Sequence, residues 1–452
     1  MRWDQSMIEK YNHSGPRYTS YPTALEFNEG FNQQQLLDAI TQSNSNTLSL
    51  YIHIPFCAKL CYYCGCNKII THHQHKADQY LDYLKAEIIN RAPLFSHYKV
   101  TQIHLGGGTP TFLSPSQIQA LFSLLRSHFN IAETGEFSIE VDPREIELSM
   151  LDTLKEVGFN RLSIGVQDFN KEVQRAVNRE QDETFIFDLT SKAKQMGFVS
   201  TNVDLIYGLP HQTPMSFAET IKKIITLDPD RLSVFNYAHI PSRFAAQRKI
   251  HDKDLPNASQ KLTILKQTIE SLTQAGYQYI GMDHFAKPDD VLAQLQNKGQ
   301  LHRNFQGYTT QEECDLLGLG VSSISQIGHC YAQNQKDIKQ YYDAINTQGH
   351  ALWKGCALNQ DDHIRRSVIK QLICHFELDI PTIEAQFAID FDDYFAADLD
   401  LLRPFIKDEL VTIHNRKITV LPTGRLLIRN ICMCFDVYMR KHARQQQFSR
   451  VI

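Results

Sequence analysis

Between residues 47 and 285, short runs rich in Val, Ile and aromatic residues alternate with longer amphipathic stretches, an order of β then α that restricts the fold more than any other feature. The strand-like runs are Leu48–Ile54, Thr101–Leu105, Phe137–Val141, Leu162–Val166, Asn202–Ile206, Leu232–Tyr237 and Tyr277–Met282. Helical patterns fall between them at Lys76–Ile89, Pro115–Phe129, Met150–Val157, Phe185–Met196, Phe217–Ile225 and Gln260–Ala275, often closed by Gly or Pro. Strands separated by helices of this length imply right-handed crossovers and a parallel sheet. Six or seven such units make the class α/β and favour a full or partial TIM-like barrel over an open doubly wound sheet.

Four parts are expected along the chain. Residues 1–46, centred on SGPRYTSYPT, read as an irregular arm and a candidate lid; 47–285 hold the barrel; 286–360 complete or link it; 361–452 form a smaller, mainly helical domain with a basic tail. With 46 basic and 50 acidic side chains the net charge is -4, so no basic field for nucleic acid is expected. No long uncharged apolar run exists, and the first thirty residues hold no apolar core after a basic start. The expectation is a cytoplasmic protein with no membrane insertion, in a reducing compartment where clustered cysteines bind metal or do chemistry.

A barrel places its reactive groups just past the C-terminal ends of strands, and the chemically suggestive residues lie there. Four of the ten cysteines, Cys57, Cys61, Cys64 and Cys66, fall in one loop after the first strand. Thiolates at 57, 61 and 64 can ligate three irons of a [4Fe–4S] cluster and leave the fourth open. Cys66 leaves an alternative in which it closes the cluster into an electron carrier; structural zinc is another. The second strand is followed by Gly106-Gly107-Gly108-Thr109-Pro110, which lacks the Gly-Lys-Ser/Thr ending of a phosphate loop. Glu140, Gln167, Arg179 and Asp204 add polar groups at the expected barrel mouth. The Cys432-Met-Cys434 pair has no ligand partner nearby in sequence and reads as core packing.

The CxxxCxxC spacing resembles the signature of the radical S-adenosylmethionine (SAM) enzymes, in which SAM occupies the open iron. More closely, PRYTSYPTA, YIHIPFCAKLCYYCGCNKI, HLGGGTPTFL, SIEVDPREI, GVQDFNKEVQRAVNREQ, NVDLIYGLPHQT, FNYAHIP, NFQGYTT and RLLIRNICMCFD resemble the oxygen-independent coproporphyrinogen III oxidase family across nearly the whole chain. That resemblance implies a partial (βα)6 barrel with N-terminal and C-terminal additions. It also implies conversion of two propionates of coproporphyrinogen III to vinyl groups, giving protoporphyrinogen IX. The implied cofactors are a [4Fe–4S] cluster on Cys57, Cys61 and Cys64 and two SAM molecules. The implied SAM contacts are Tyr51, Tyr63, Gly107, Gly108, Thr109, Glu140, Gln167, Arg179, Asp204, Ala238 and Ile324, with Gln306 near the second SAM. Tyr63 departs from the Phe that family members can carry there. Cys66 matches the fourth cysteine of the family motif and is not expected to ligate.

His53 points into the barrel by the two-residue period of strand one, either as packed core or as a proton donor beside the cluster. Arg17, Arg243, Arg248 and Lys249 are candidate partners for the substrate carboxylates. A low-potential donor such as flavodoxin or ferredoxin is the implied redox partner, and a monomer suffices. A paralogous haem-delivering chaperone is the main rival, but such relatives typically lack the equivalents of Cys66 and the PRYTSYPTA arm.

Overall fold

The computed structural model describes residues 2–311 and 314–441; the basic tail expected at the C-terminus lies outside them. Among these, the chain clusters into two compact units, one of 27–275 with 314–357, the other of 2–26, 276–311 and 358–441.

The larger unit is built on six parallel strands in chain order: β1 (Thr47–Ile54), β2 (Lys99–Gly107), β3 (Asn130–Val141), β4 (Arg161–Gln167), β5 (Ser200–Tyr207) and β6 (Arg231–Asn236). Each leads into a helix: α1 (His75–Arg91), α2 (Pro115–His128), α3 (Met150–Val157), the pair α4 (Lys171–Ala176) and α5 (Glu183–Gln195), α6 (Pro214–Leu227) and α7 (Ala258–Gln274). The expected sixfold βα alternation is therefore present. Helix starts follow from local chemistry, since Ser114, Thr213 and Asn257 each close a capping box and Pro115 and Pro214 occupy the first turn. Leu50, Ile52, Ile103, Leu105, Ile139, Ile164, Val203 and Leu205 carry the fully buried core of the sheet.

Four further strands extend the sheet beyond β1. β7 (Asp315–Leu319) pairs with β1 in parallel, followed by antiparallel β8 (Ile324–Ile327), β9 (Cys330–Asn334) and β10 (Leu352–Ala357), with α8 (Ile338–Gln348) between the last two. A buried carboxylate ties this addition to the helix layer: Glu87 on α1 accepts from Gly320 N at 2.7 Å, Asn334 Nδ2 at 2.7 Å and the Tyr341 hydroxyl at 2.8 Å.

The smaller unit contains helix Gln5–Tyr11, a hairpin of His302–Asn304 with Gly307–Thr309, and a C-terminal part. In that part helices Gln360–His375, Ala396–Lys407 and Ile428–Met433 accompany a three-stranded sheet of Glu377–Asp379, Lys417–Val420 and Val411–His414. Two expectations need correction. The seventh strand-like run is not another βα unit: Gln278–Gly281 turns back at Met282, whose φ is 56°, and pairs antiparallel with His284–Ala286. Nor are the first 46 residues irregular, because Gln5–Tyr11 is capped by Asp4 and Gln33–Gln42 by an Asn32/Gln35 capping box. No helix among the described residues is long and apolar enough to cross a membrane.

Candidate active site

The C-terminal ends of β1 to β6 open onto a cavity of about 240 Å³ within the larger unit. The loop after β1 contributes Cys57, Cys61, Tyr63, Cys64 and Cys66; the turn after β2 contributes Gly107, Gly108 and Thr109. Glu140, Asp142 and Arg144 come from β3 and its end, Gln167 from β4, Arg179 from beyond α4, and Asp204 from β5. Twelve of the residues singled out from sequence thus line one cavity. The thiols do not converge on one point: among the described residues no three His, Cys, Asp or Glu side chains are grouped to hold a single metal ion.

Each thiol at 57, 61 and 64 receives a hydrogen bond, and the donors differ. The Thr109 hydroxyl donates to Cys57 Sγ at 3.3 Å, and the Cys66 backbone N–H to Cys64 Sγ at 3.4 Å. Cys61 Sγ receives two guanidinium groups, Arg144 Nη2 at 3.2 Å and Arg179 Nη1 at 3.3 Å. Burial pushes the Cys57 thiol up to about 12. The Cys66 thiol beside it draws Cys64 down to about 6. Asp142 accepts from both arginines; although burial opposes ionisation, the Arg179 charge and the bonds from Arg144 hold its carboxyl at about 2.

The glycines are required by close approach. A Cβ on Gly108 would lie 2.7 Å from the Pro55 backbone, and one on Gly107, where φ is +118°, would lie 2.6 Å from the His53 ring. The Gly107 N–H donates to Glu140 Oε2 at 3.1 Å, which pins this turn to β3. Asp204 accepts from Ser163 Oγ at 3.0 Å and Asn202 Nδ2 at 2.8 Å, and burial raises its carboxyl above the usual range. Gln167 carries φ +67° at the end of β4, a conformation non-glycine residues seldom adopt.

The remaining predicted residues sit elsewhere. Tyr51 and His53 stand behind the cavity wall: the Tyr51 hydroxyl and His53 Nδ1 are 3.1 Å apart, and His53 Nε2 is 3.0 Å from the Asn67 carbonyl. Burial lowers the His53 pKa, so the ring is a neutral bridge between strand and loop. The Ala238 carbonyl shares the Gln247 amide with the Tyr63 carbonyl, at 3.2 and 3.0 Å. Ile324 opens β8, where its backbone crowds Gly318. Gln306 is exposed at the tip of the 302–309 hairpin in the smaller unit. Arg17 pairs with Asp283 at 2.5 Å, while Arg243, Arg248 and Lys249 are exposed. Cys432 and Cys434 are buried. Arg144 and Gln247 escaped the sequence reading; the only signal was the Asp-Pro-Arg run at the end of β3.

The chain matches the Radical SAM superfamily over residues 51–224 and the HemN C-terminal domain over 358–427. It is 65% identical over 450 residues to the oxygen-independent coproporphyrinogen III oxidase of Escherichia coli strain K12, covering 100% of this chain and 98% of that relative. The Pseudomonas aeruginosa protein of the same name is 52% identical, covering 100% and 99%. A solved structure of coproporphyrinogen III oxidase (HemN) from Escherichia coli, a radical SAM enzyme, superposes with a TM-score of 0.94 at 63% identity, covering 97% of this chain and 99% of the other. Similarity of this degree along the full length means that the chain belongs to the oxygen-independent coproporphyrinogen III oxidases of the radical SAM superfamily.

Proposed function

We propose that the chain oxidatively decarboxylates two propionate side chains of coproporphyrinogen III to vinyl groups, giving protoporphyrinogen IX without oxygen. The observation that carries this reading is the convergence of three thiols and the glycine turn on one cavity at the strand ends. Its cofactors are a [4Fe–4S] cluster and SAM, as in the superfamily. The residues fit both groups: Gln167 Oε1 and Arg179 Nε are buried without a hydrogen-bond partner, and the Gly107–Gly108 backbone forms a wall that a Cβ would fill. Cys57, Cys61 and Cys64 would hold the cluster, which when bound would supply the electron for reductive cleavage of SAM and so a radical able to take a propionate hydrogen.

The chain's own residues hold and orient. Thr109, Gly107 and Gly108 present backbone to SAM, with Glu140 fixing the turn. Arg179, Gln167, Asp204 and Tyr63 face SAM from the cavity lining, and the backbone at Ala238 and Ile324 is assigned to it as well. Tyr51 and His53 brace the strand behind the turn, a positioning role. Gln306 is assigned to a second SAM, and Cys66 remains outside the ligand set. The reading extends to a monomeric, cytoplasmic enzyme reduced by a low-potential donor of the flavodoxin or ferredoxin type.

The test is anaerobic. The reconstituted and reduced protein receives SAM and coproporphyrinogen III, and tetrapyrrole mass and 5′-deoxyadenosine are followed together. Two successive losses of CO2 and two hydrogens, coupled to deoxyadenosine, are expected. An unchanged tetrapyrrole beside an intact, reducible cluster overturns the reading in favour of haem delivery.

A further inference from the structure

The three thiols that face the cavity are not electrostatically equivalent. Cys57 receives a neutral hydroxyl and Cys64 a backbone amide with the Lys68 ammonium beside it, whereas Cys61 alone of the three receives two guanidinium groups. Charge-assisted donors of this kind are about twice as strong as neutral ones. Arg144 is firmly anchored, with a side chain only 4% exposed. It grips Asp142 bidentately through Nε at 3.0 Å and Nη2 at 2.6 Å, and its Nη1 donates to the Asn178 carbonyl at 3.1 Å.

We propose that Arg144, held by Asp142, is a positioning residue that raises the reduction potential of the cluster through the Cys61 thiolate. This rests on the reading of Cys57, Cys61 and Cys64 as its ligands. Donors aimed at a ligating sulfur withdraw negative charge from the iron–sulfur unit and stabilise its reduced, more negative state. Arg144 thereby makes the first electron easier to accept from outside. Arg179 also bonds Cys61, but it is assigned to SAM as well and its Nη2 is spent on the Gly165 carbonyl, so Arg144 is the cleaner probe.

The experiment compares wild type, Arg144→Gln and Arg144→Lys after anaerobic reconstitution. Iron and sulfide are assayed first, and the midpoint potential is then measured by redox titration followed by electron paramagnetic resonance, without SAM. For Arg144→Gln at full iron content, the ratio of reduced to oxidised cluster at a fixed poise falls about tenfold, equivalent to about 59 mV for one electron. Arg144→Lys, which keeps the charge but not the fork, lies between. A midpoint unchanged in Arg144→Gln at full iron content overturns the proposal. Should that variant lose iron, an unchanged midpoint in Arg144→Lys overturns it instead. Wild-type protein that loads no cluster overturns the ligand reading itself, a failure distinguishable from a midpoint that does not move.

Discussion

In the loop after β1 the sulfurs accept hydrogen bonds: a hydroxyl, an amide and two guanidinium groups point at Cys57, Cys64 and Cys61. In the smaller unit the sulfurs donate instead, Cys432 to the Ile369 carbonyl at 3.9 Å and Cys434 to the Leu401 carbonyl at 3.6 Å. Burial does not separate the two settings, since it pushes Cys57 and Cys434 alike to about 12. The sense of the bond does: donors gathered around sulfur are complementary to a thiolate, while acceptors around it are complementary to a thiol that keeps its proton. One chain therefore holds chemically identical side chains for opposite purposes, and the surrounding polar groups declare which is which.

The comparison breaks most sharply on substitution. Cys61→Ser removes one of the three proposed ligands and leaves both guanidinium groups facing a weaker acceptor, so iron loading is expected to collapse and porphyrin formation to drop at least about a thousandfold. Cys434→Ser leaves iron content and turnover within about twofold and lowers only the unfolding midpoint, because a hydroxyl is buried where a thiol packed. Iron assay, turnover and urea unfolding on the two variants check this, and loss of iron from Cys434→Ser would erase the distinction.

Glycines sharpen the same contrast. Gly108→Ala drives a methyl to 2.7 Å from the Pro55 backbone at the cavity wall, and a displacement of about 1 Å there is expected to cost about a hundredfold in kcat/KM at unchanged iron content. Gly276 in the smaller unit has φ +94° but nothing within 4 Å of a Cβ, so Gly276→Ala costs only backbone strain, about 1 kcal/mol, with SAM affinity intact. Equilibrium SAM binding and thermal unfolding of both variants separate a steric cradle from a conformational turn.

How far the sequence announces these features depends on range. The six βα units were legible because each strand and helix carries its own period, and the helix starts carry their own caps. The β7 strand was not, because Asp-Leu-Leu-Gly-Leu is buried at every position and shows no alternation. The thiols and the glycine turn were legible from tight local spacing. Arg144 was not, because its meaning lies in contact with a thiol 83 positions earlier in the chain. Tyr51 and His53 were legible as an inward-facing pair, but not as a bridge to the Asn67 carbonyl, which only the folded loop supplies.

A smaller effect is expected at Asp436, two residues beyond Cys434. The Tyr18 hydroxyl donates to one oxygen at 2.9 Å and the Tyr438 and Met439 backbone amides to the other at 2.9 and 3.1 Å. Burial nonetheless raises its carboxyl above the usual range. Because the folded value exceeds the unfolded one, the contribution of this group to stability is complete at pH below the ordinary carboxylate range and is lost as pH rises through the folded value. Asp436→Asn keeps the shape without the charge, so its advantage over wild type grows with pH, to on the order of 1 kcal/mol near neutrality. Urea midpoints followed from below the ordinary carboxylate range up to neutrality measure it; a difference between variant and wild type that does not change with pH would show that Asp436 titrates alike folded and unfolded.

The least disruptive substitution bears most directly on the ligand count. Cys66 donates to Cys64 Sγ through its backbone N–H, which survives replacement of its side chain, and the residue is solvent-exposed. Its thiol also draws Cys64 down by a side-chain hydrogen bond, so Cys66→Ala, which leaves no donor there, raises the pH at which Cys64 becomes a thiolate, and cluster loading shifts to slightly higher pH while its extent at neutral pH stays the same. Iron content after reconstitution between pH 6 and pH 8 reads both effects. Full loss of iron would make Cys66 a fourth ligand and turn the open cluster into a closed electron carrier; a loading curve displaced but equal in height keeps the fourth iron free for SAM.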